Sequence, residues 1–217
     1  MIFSEFRVFL TIKLKEMKLI IQHQEKYSRG ELLLRTFLGW LYIYIPHGFL
    51  LFFLGIWSAV LLFVAFWVIL FTGTYPEPMF QYQVKLLRWG LRLDARLFNL
   101  SDGYPAFGLD AMDDRTELSV PYPEKVSRGL TLIRLFFGIF YVGIPHGFIL
   151  MFRAFFVGIL IFLAWWVVLF TGKYPRSFHD WAVGLIRWQL RVDLYLFFMT
   201  DTYPPFTGDE LPGEDAQ

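Results

Sequence analysis

The chain has 217 residues, with 20 basic and 19 acidic side chains, and therefore a net charge of +1. Hydrophobic residues make up 56% of it and aromatic residues 21%, a composition too apolar for a disordered protein. The near-neutral charge leaves no electrostatic footprint for nucleic acid as a main ligand. The absence of cysteine excludes disulfides, thiol catalysis, iron–sulfur clusters and zinc sites that use Cys.

The N-terminal residues combine basic and apolar side chains. Residues 1–18 carry Arg7, Lys13, Lys15 and Lys18 and have no continuous apolar core with a small-residue cleavage site. They therefore predict an interfacial extension and not a signal peptide, with translation starting at Met1 or at Met17. The alternating stretch 19–23 that follows predicts a strand or an extended arm.

Two long apolar runs dominate the rest of the chain. Residues 36–71 contain no Asp, Glu, Lys or Arg, and a single helix of that length would measure about 54 Å against a hydrocarbon core of roughly 30 Å. In the second half, Arg153 divides two apolar runs at 135–152 and 154–172. We therefore predict an all-α integral membrane fold with four transmembrane helices, arranged as two hairpins near 30–53 and 55–72, and near 129–152 and 154–171.

An amphipathic helix is predicted after each hairpin. Thr-Gly followed by Tyr-Pro ends the second helix of each hairpin, and a stripe of apolar residues beside a stripe of basic residues then covers about 78–100 and 177–199. Such helices lie in the headgroup plane. Because nearly all Lys and Arg lie outside the hairpin turns, both termini and both amphipathic helices are predicted to be cytoplasmic.

The chain repeats itself at a constant offset of 99 residues. Residues 19–107 align without a gap with 118–206, and 42 of these 89 positions are identical. We therefore divide the chain into a first membrane module at 19–108 and a second at 118–207. An acidic linker at 109–117 joins them, and an acidic tail at 208–217 is predicted to be disordered. Both modules face the same way, about an axis along the membrane normal, so the inverted repeats of many transporters are absent.

The shared landmarks resemble a known family. They are Ile-Pro-His in the first helix, Phe-Thr-Gly-x-Tyr-Pro after the second, Arg-Trp-x-x-Arg, and a closing Tyr-Pro-x-Phe. This pattern resembles a bacterial membrane family known as domain of unknown function 4389, present here as two tandem copies. The resemblance implies an integral protein of the bacterial inner membrane and implies no activity.

The first candidate site lies midway along the first helix of each module. It consists of Pro46, His47 and Gly48, and of Pro145, His146 and Gly147. Proline frees a backbone carbonyl, and a histidine inside a bilayer needs a partner. One interpretation is that each His bonds the freed carbonyl and stabilises a kink. A second is that the two His face each other and bind a metal or haem, or relay a proton, and a third is contact with lipid or a partner protein.

The second candidate site lies on the amphipathic helices. It consists of Arg88, Arg92 and Asp94, and of Arg187, Arg191 and Asp193. Two Arg one helical turn apart suit a phosphate group. The site is interpreted as a generic headgroup anchor, or else as a specific anionic-lipid site or a dock for an acidic partner. Asp94 is expected to cap the helix or to bridge to Arg29 or Arg35.

No catalytic motif, metal-ligand spacing or cofactor motif is visible. The function predicted first is therefore a non-enzymatic accessory or scaffold subunit that associates with itself or with other membrane proteins. The expected partners also include the lipid bilayer with its anionic headgroups, and exclude nucleic acid. One alternative is a lipid-handling or small-solute permeation protein acting as an oligomer. A second is a redox or proton-relay protein that uses His47 and His146.

Overall fold

The computed structural model describes residues 17–211. It contains four helices and one two-stranded ribbon, and it is mostly helical. In chain order the elements are β1 (Lys18–Ile21), α1 (Arg29–Thr72), α2 (Glu77–Leu97), β2 (Thr116–Ser119), α3 (Arg128–Thr171) and α4 (Arg176–Leu196). The extension predicted at 1–18 lies almost wholly outside the described residues, as does most of the tail predicted at 208–217.

The two long helices are continuous, so the predicted hairpins are wrong. Each of α1 and α3 has 44 residues and is long and apolar enough to cross a membrane. Leu54 and Gly55, where α1 was expected to turn, are helical, and so is Arg153 in α3. The reason is local: neither position carries a Pro or a turn motif, and Arg153 is accommodated on α4, where its guanidinium lies 5.0 Å from the centre of the Trp181 ring. The expected fold-back rested on the helix length exceeding the bilayer thickness and on the charge of Arg153 between two apolar runs.

Serines cap the starts of the long helices, and the predicted Thr-Gly signals mark their ends. The Ser28 hydroxyl accepts a hydrogen bond from the Glu31 amide, and the Ser127 hydroxyl accepts one from the Leu130 amide, so each helix begins with an N-cap. Each ends at a glycine in the left-handed region, Gly73 with φ 74° and its counterpart in α3 with φ 71°. A residue with a Cβ is strained there, which is why glycine ends the helix.

Each long helix contains one π-helical turn just before its proline. The turns cover Trp40–Tyr44 in α1 and Ile139–Gly143 in α3. In α1 the Ile45 amide bonds the Trp40 carbonyl, five residues earlier. Such turns are rare and occur where a helix absorbs an irregularity, here a proline that donates no hydrogen bond.

The short helices run back along the long ones. Helix α2 covers 77–97 and α4 covers 176–196, within a few residues of the predicted amphipathic helices. Gln83 on α2 bonds Ser58 near the middle of α1, at 2.6 Å between Oγ and Oε1, and Tyr82 donates to the Leu54 carbonyl at 2.9 Å. Each long helix is therefore covered on one side by its short partner.

The two halves of the chain exchange contacts. Strand β1, the predicted extended arm, pairs antiparallel with β2, with Leu19 opposite Leu118. The Tyr27 amide donates to the Gly172 carbonyl at 2.9 Å, and the Val126 amide donates to the Gly73 carbonyl at 2.8 Å. The two bonds are equivalent, because position 27 corresponds to 126 and position 73 to 172 at the 99-residue offset. Each half therefore closes the helix end of the other half, and the buried apolar core is shared between them.

Side chains of opposite character lie on opposite sides of the molecule. One side, the apolar face, consists of large hydrophobic residues along both long helices, each more than half exposed, including Phe37, Trp40, Phe49, Phe53, Phe63, Phe71, Phe136, Phe140, Phe148, Phe155, Phe162 and Phe170. The residues of α1 that are buried include Arg35, His47 and Ser58, which contact the short helix and its loop. The long helices thus present one side to their partners and leave the other side uncovered.

Candidate functional site

His47 is fully buried and holds three parts of the first module together. The Trp89 indole N–H on α2 donates to His47 Nδ1 at 2.8 Å, and His47 Nε2 lies 3.0 Å from the Tyr104 hydroxyl. Because indole is only a donor, Nδ1 must be an acceptor, and a neutral ring then carries its proton on Nε2. His47 therefore donates to Tyr104, and Phe107 packs against the ring edge, 4.7 Å between centroids.

Pro46 explains why the Tyr104 hydroxyl also bonds a backbone carbonyl of α1. Pro46 has no N–H to donate to the carbonyl four residues earlier, which belongs to Tyr42. The Tyr104 hydroxyl donates to that carbonyl at 3.3 Å. The sequence interpretation that His47 itself bonds the freed carbonyl is therefore wrong: a tyrosine from the closing loop does so, and the histidine positions that tyrosine.

The second module repeats this arrangement residue by residue. Trp188 donates to His146 Nδ1 at 2.9 Å, and His146 Nε2 lies 3.2 Å from the Tyr203 hydroxyl. Tyr203 in turn donates to the Tyr141 carbonyl at 3.0 Å, four residues before Pro145. Here Phe206 stacks flat on the histidine, with 3.9 Å between ring centroids.

The two histidines do not form a joint site. Both ring nitrogens of each imidazole are bonded inside its own module, so neither offers a free ligand atom to a metal or a haem. Within residues 17–211, no three His, Asp or Glu side chains come together as a metal site would require. A Cβ added at Gly48 or Gly147 would meet no atom of another element within 4 Å, so no close helix approach requires a glycine there.

The arginines of the second candidate site bind backbone carbonyls and not an open surface. Arg92 is buried and donates to the carbonyls of Ala106, Gly108 and Ala111 at 3.1, 2.5 and 2.9 Å. Arg88 donates to the Leu118 carbonyl at 2.8 Å. Arg92 thus fixes the linker and the residues before it, and Arg88 fixes β2. The spacing of Arg88 and Arg92 did not reveal this structural role.

Arg187 and Arg191 bind the start of the tail. Arg187 donates to the Gly208 carbonyl at 2.9 Å and pairs with Glu210 at 2.7 Å, while Arg191 donates to the carbonyls of Thr207 and Asp209. The described part of the predicted disordered tail, residues 208–211, is therefore attached to α4.

Asp94 and Asp193 line a cavity and do not form the expected ion pairs. The expected bridge from Asp94 to Arg29 or Arg35 is wrong: Arg29 donates to the Phe170 carbonyl, and Arg35 pairs with Asp102 at 3.0 Å. Both carboxyls line a largely apolar cavity of about 530 Å³ between α2, α3 and α4. Burial raises the pKa of Asp94 to about 6. Burial also raises the pKa of Asp193 to about 6, and the nearby Asp94 adds to it.

Sequence reasoning missed the pairs that close each module. Arg35 bonds Asn99, the Ser101 carbonyl and Asp102, and Arg134 bonds the Thr200 carbonyl and Asp201. Asp102 and Asp201 also accept from the amides of Ser28 and Ser127 at the helix starts. The signal was present, because the Arg, the Asp and the Ser at the helix start are each identical at the 99-residue offset (35 and 134, 102 and 201, 28 and 127).

The side of α2 away from α1 is strongly charged. A cleft of about 570 Å³ runs between α2, the linker and β2. Lys85 pairs there with Asp110 at 2.5 Å, and the buried Arg96 pairs with Asp113 at 2.8 Å. We call this side the charged face and define it by Lys85, Arg88, Asp110, Asp114 and Glu117.

Comparison with known proteins identifies a similarity over the second module only. The model of a family described as "Domain of unknown function (DUF4389)" matches residues 130–208. No curated protein and no solved structure matches the chain. The matched segment contains α3 except its first two residues, together with α4 and the whole His146 site.

Proposed function

We propose that the protein is a non-enzymatic membrane protein, an accessory or scaffold subunit of a complex in the bacterial inner membrane. The observation that carries the proposal is the separation of the two faces. The apolar face leaves bulky side chains on two 44-residue helices uncovered, far beyond what a soluble monomer exposes. The charged face, on the other side of α2, is available to other proteins, and both termini are proposed to be cytoplasmic.

The side chains that could take part in catalysis or ligand binding have structural roles instead. Both histidines and the arginines Arg88, Arg92 and Arg187 are bonded to the chain's own groups. A relay between the two histidines has no support in this geometry, since each hydrogen-bond chain ends at a backbone carbonyl of its own module.

The test is native mass spectrometry of the protein, tagged at its own locus and extracted gently from its own membrane. We expect other subunits at a fixed ratio. The matched variant is Met112→Lys: Met112 is 89% exposed in the linker beside the charged face, so the change leaves the fold intact and weakens partner binding. Recovery of the chain only as a monomer or homo-oligomer, with or without the variant, would overturn the scaffold proposal.

A second candidate, lipid handling, is favoured by the cavity that holds Asp94 and Asp193. Its apolar lining and its volume suit an acyl chain, and Gly90 lines it with no neighbour within 4 Å. Gly90→Leu would occupy this space, while Gly158→Leu, on α3 and away from the cavity, is the control. Selective loss of a co-purified lipid from Gly90→Leu would favour this candidate, and equal lipid content in both variants would exclude it.

A further inference from the structure

The lengths of the long helices conflict with an upright position in a bilayer. At 1.5 Å per residue, the 44 residues of α1 measure about 66 Å, roughly twice the hydrocarbon thickness. The start of α1 carries Arg29, Glu31 and Arg35, and its end at Gly73 lies beside Arg128, whose Nε is 3.3 Å from where a Cβ would stand. Both ends of the helix are therefore in polar surroundings.

The long helices are antiparallel and matched end to end. Arg29 at the start of α1 bonds the Phe170 carbonyl near the end of α3, and Thr36 accepts from the Trp165 indole at 2.8 Å. The end of α1 likewise packs against the start of α3. The middle of α1 thus lies at the level of the middle of α3, and both ends of each long helix pack against the other long helix.

Polar side chains of α2 cover the middle of α1. Trp89 and Gln83 on α2 reach His47 and Ser58, which flank the midpoint of α1. Between them on α2, Lys85 pairs with Asp110, and these side chains are 39% and 79% exposed. An upright α1 would place this exposed ion pair at the centre of the hydrocarbon, where a charge costs several kcal/mol.

The apolar face has the shape expected of a helix lying flat. It extends along α1 from Phe37 through Phe53 to Phe71, and along α3 from Phe136 to Phe170. On neither helix is it confined to a band as narrow as the bilayer is thick. A stripe of this kind, with a charged side opposite, is typical of helices that lie in the membrane interface.

The occupant of the apolar face is a lipid leaflet and not a second copy of the chain. Residues 36–71 offer no charged group for the polar rim that protein interfaces carry. Exposed charged residues surround the helix ends instead: six are basic, namely Lys26, Arg29, Lys125, Arg128, Lys173 and Arg176, and four are acidic, namely Glu25, Glu77, Glu124 and Asp201. This net positive rim complements anionic headgroups.

We propose that α1 and α3 lie flat in one leaflet of the bilayer and do not cross it. The apolar face contacts the acyl chains, and the charged face points to the aqueous side that holds both ends of each long helix. This inference rests on the proposed membrane location and specifies its geometry. The pseudo-twofold axis that relates the modules then runs along the membrane normal.

The test uses the absence of native cysteine. Single Cys are introduced at Phe37, Phe49, Phe63 and Phe71, spin-labelled, and reconstituted in vesicles of phosphatidylcholine with a minority of phosphatidylglycerol. Immersion depth is measured from the relaxation caused by oxygen and by a water-soluble nickel complex. We expect the four depths to agree within about 5 Å, because a flat helix keeps one face at one depth. Labels at Gln81 and Asp114, both exposed away from the apolar face, are the aqueous controls.

The competing geometries give different profiles. An upright helix separates Phe37 from Phe63 by about 39 Å along the normal, and a hairpin gives two separate depth maxima. Either profile would overturn the flat geometry while leaving the membrane location intact. Failure of the chain to float with vesicles would instead overturn the membrane location. In the unmodified chain, bromine near the headgroup end of the acyl chains should quench tryptophan fluorescence more than bromine near the methyl end, and the reverse order would contradict the proposal.

Discussion

Pro46 removes one backbone donor from α1, and three other side chains are arranged around that loss. Tyr104 bonds the Tyr42 carbonyl, His47 orients Tyr104, and Trp89 fixes His47 in one tautomer. A buried histidine with two partners is therefore used here to attach the closing loop and the short helix to the long helix. The same four residue types do this again around Pro145.

We expect Tyr104→Phe to destabilise the protein by about 1–2 kcal/mol, because the change leaves the Tyr42 carbonyl and the His47 N–H without partners. Tyr203→Phe should cost a similar amount in the second module. Thermal unfolding in detergent micelles measures both. Tyr44→Phe is the control, since Tyr44 is 65% exposed and lies on the apolar face. Equal stability of Tyr104→Phe and Tyr44→Phe would contradict the role assigned to the hydroxyl.

Asp94 predicts a pH dependence of opposite sign to that of a salt-bridged carboxylate. Its pKa is raised from 3.8 to about 6 in the folded chain, so the native state binds more protons than the unfolded state between these values. The free energy of unfolding should therefore fall as pH rises from about 4 to 6 and remain lower above that range. Asp193, with its pKa also raised to about 6, acts in the same direction.

Asp94→Asn stays neutral at every pH and should raise the free energy of unfolding at pH 8 by about 1–2 kcal/mol. It should also flatten the profile between pH 4 and 6. Denaturant titrations at several pH values measure this. Asp114→Asn, at an exposed carboxyl, is the matched control and should change neither quantity. A loss of stability at pH 8 in Asp94→Asn would show that the charged form is the favoured one.

At the scale of elements, sequence signals predicted where the long helices end but not their continuity. Gly73 ends α1 as predicted, and both short helices lie where their apolar and basic stripes placed them. These signals are local, so the sequence carries them. The turns expected at 54 and at Arg153 had no Pro or turn motif, and they came from comparing a helix length with a bilayer thickness and from the charge of Arg153 between two apolar runs. The partners of His47 were also hidden, because Trp89 and Tyr104 reach it only through tertiary packing.

The linker, predicted from its acidic composition, owes its conformation to Arg92. Removing three charge-assisted bonds in Arg92→Ala should release residues 104–112 locally, with amide exchange there at least tenfold faster. Hydrogen exchange followed by mass spectrometry resolves this segment from the helices. Arg115→Ala, at an exposed arginine in the same linker, is the control. Equal acceleration throughout α1 and α2 would show that Arg92 supports the whole fold and not the linker alone.

For the whole molecule, the reciprocal contacts make each half depend on the other. Leu118 of β2 pairs with Leu19, its own equivalent 99 residues earlier, so the ribbon is symmetric about that pair. The bonds from Tyr27 to Gly172 and from Val126 to Gly73 are related in the same way. A single half would leave a strand edge and a helix end without partners, but two identical halves can supply both to each other.

We therefore expect residues 109–217, expressed alone in detergent, to form a homodimer that reproduces these contacts with β2 pairing to its own copy. Sedimentation with detergent-matched density gives the mass, and circular dichroism gives the helix content. A shorter piece, residues 122–217, lacks β2 and should lose the dimer, because the isologous ribbon is gone while α3 and α4 are kept. A monomer of 109–217 with full helix content and cooperative unfolding would show that each half has its own sufficient core. In that case the bonds between the halves would only align the two halves and would not be needed for either half to fold.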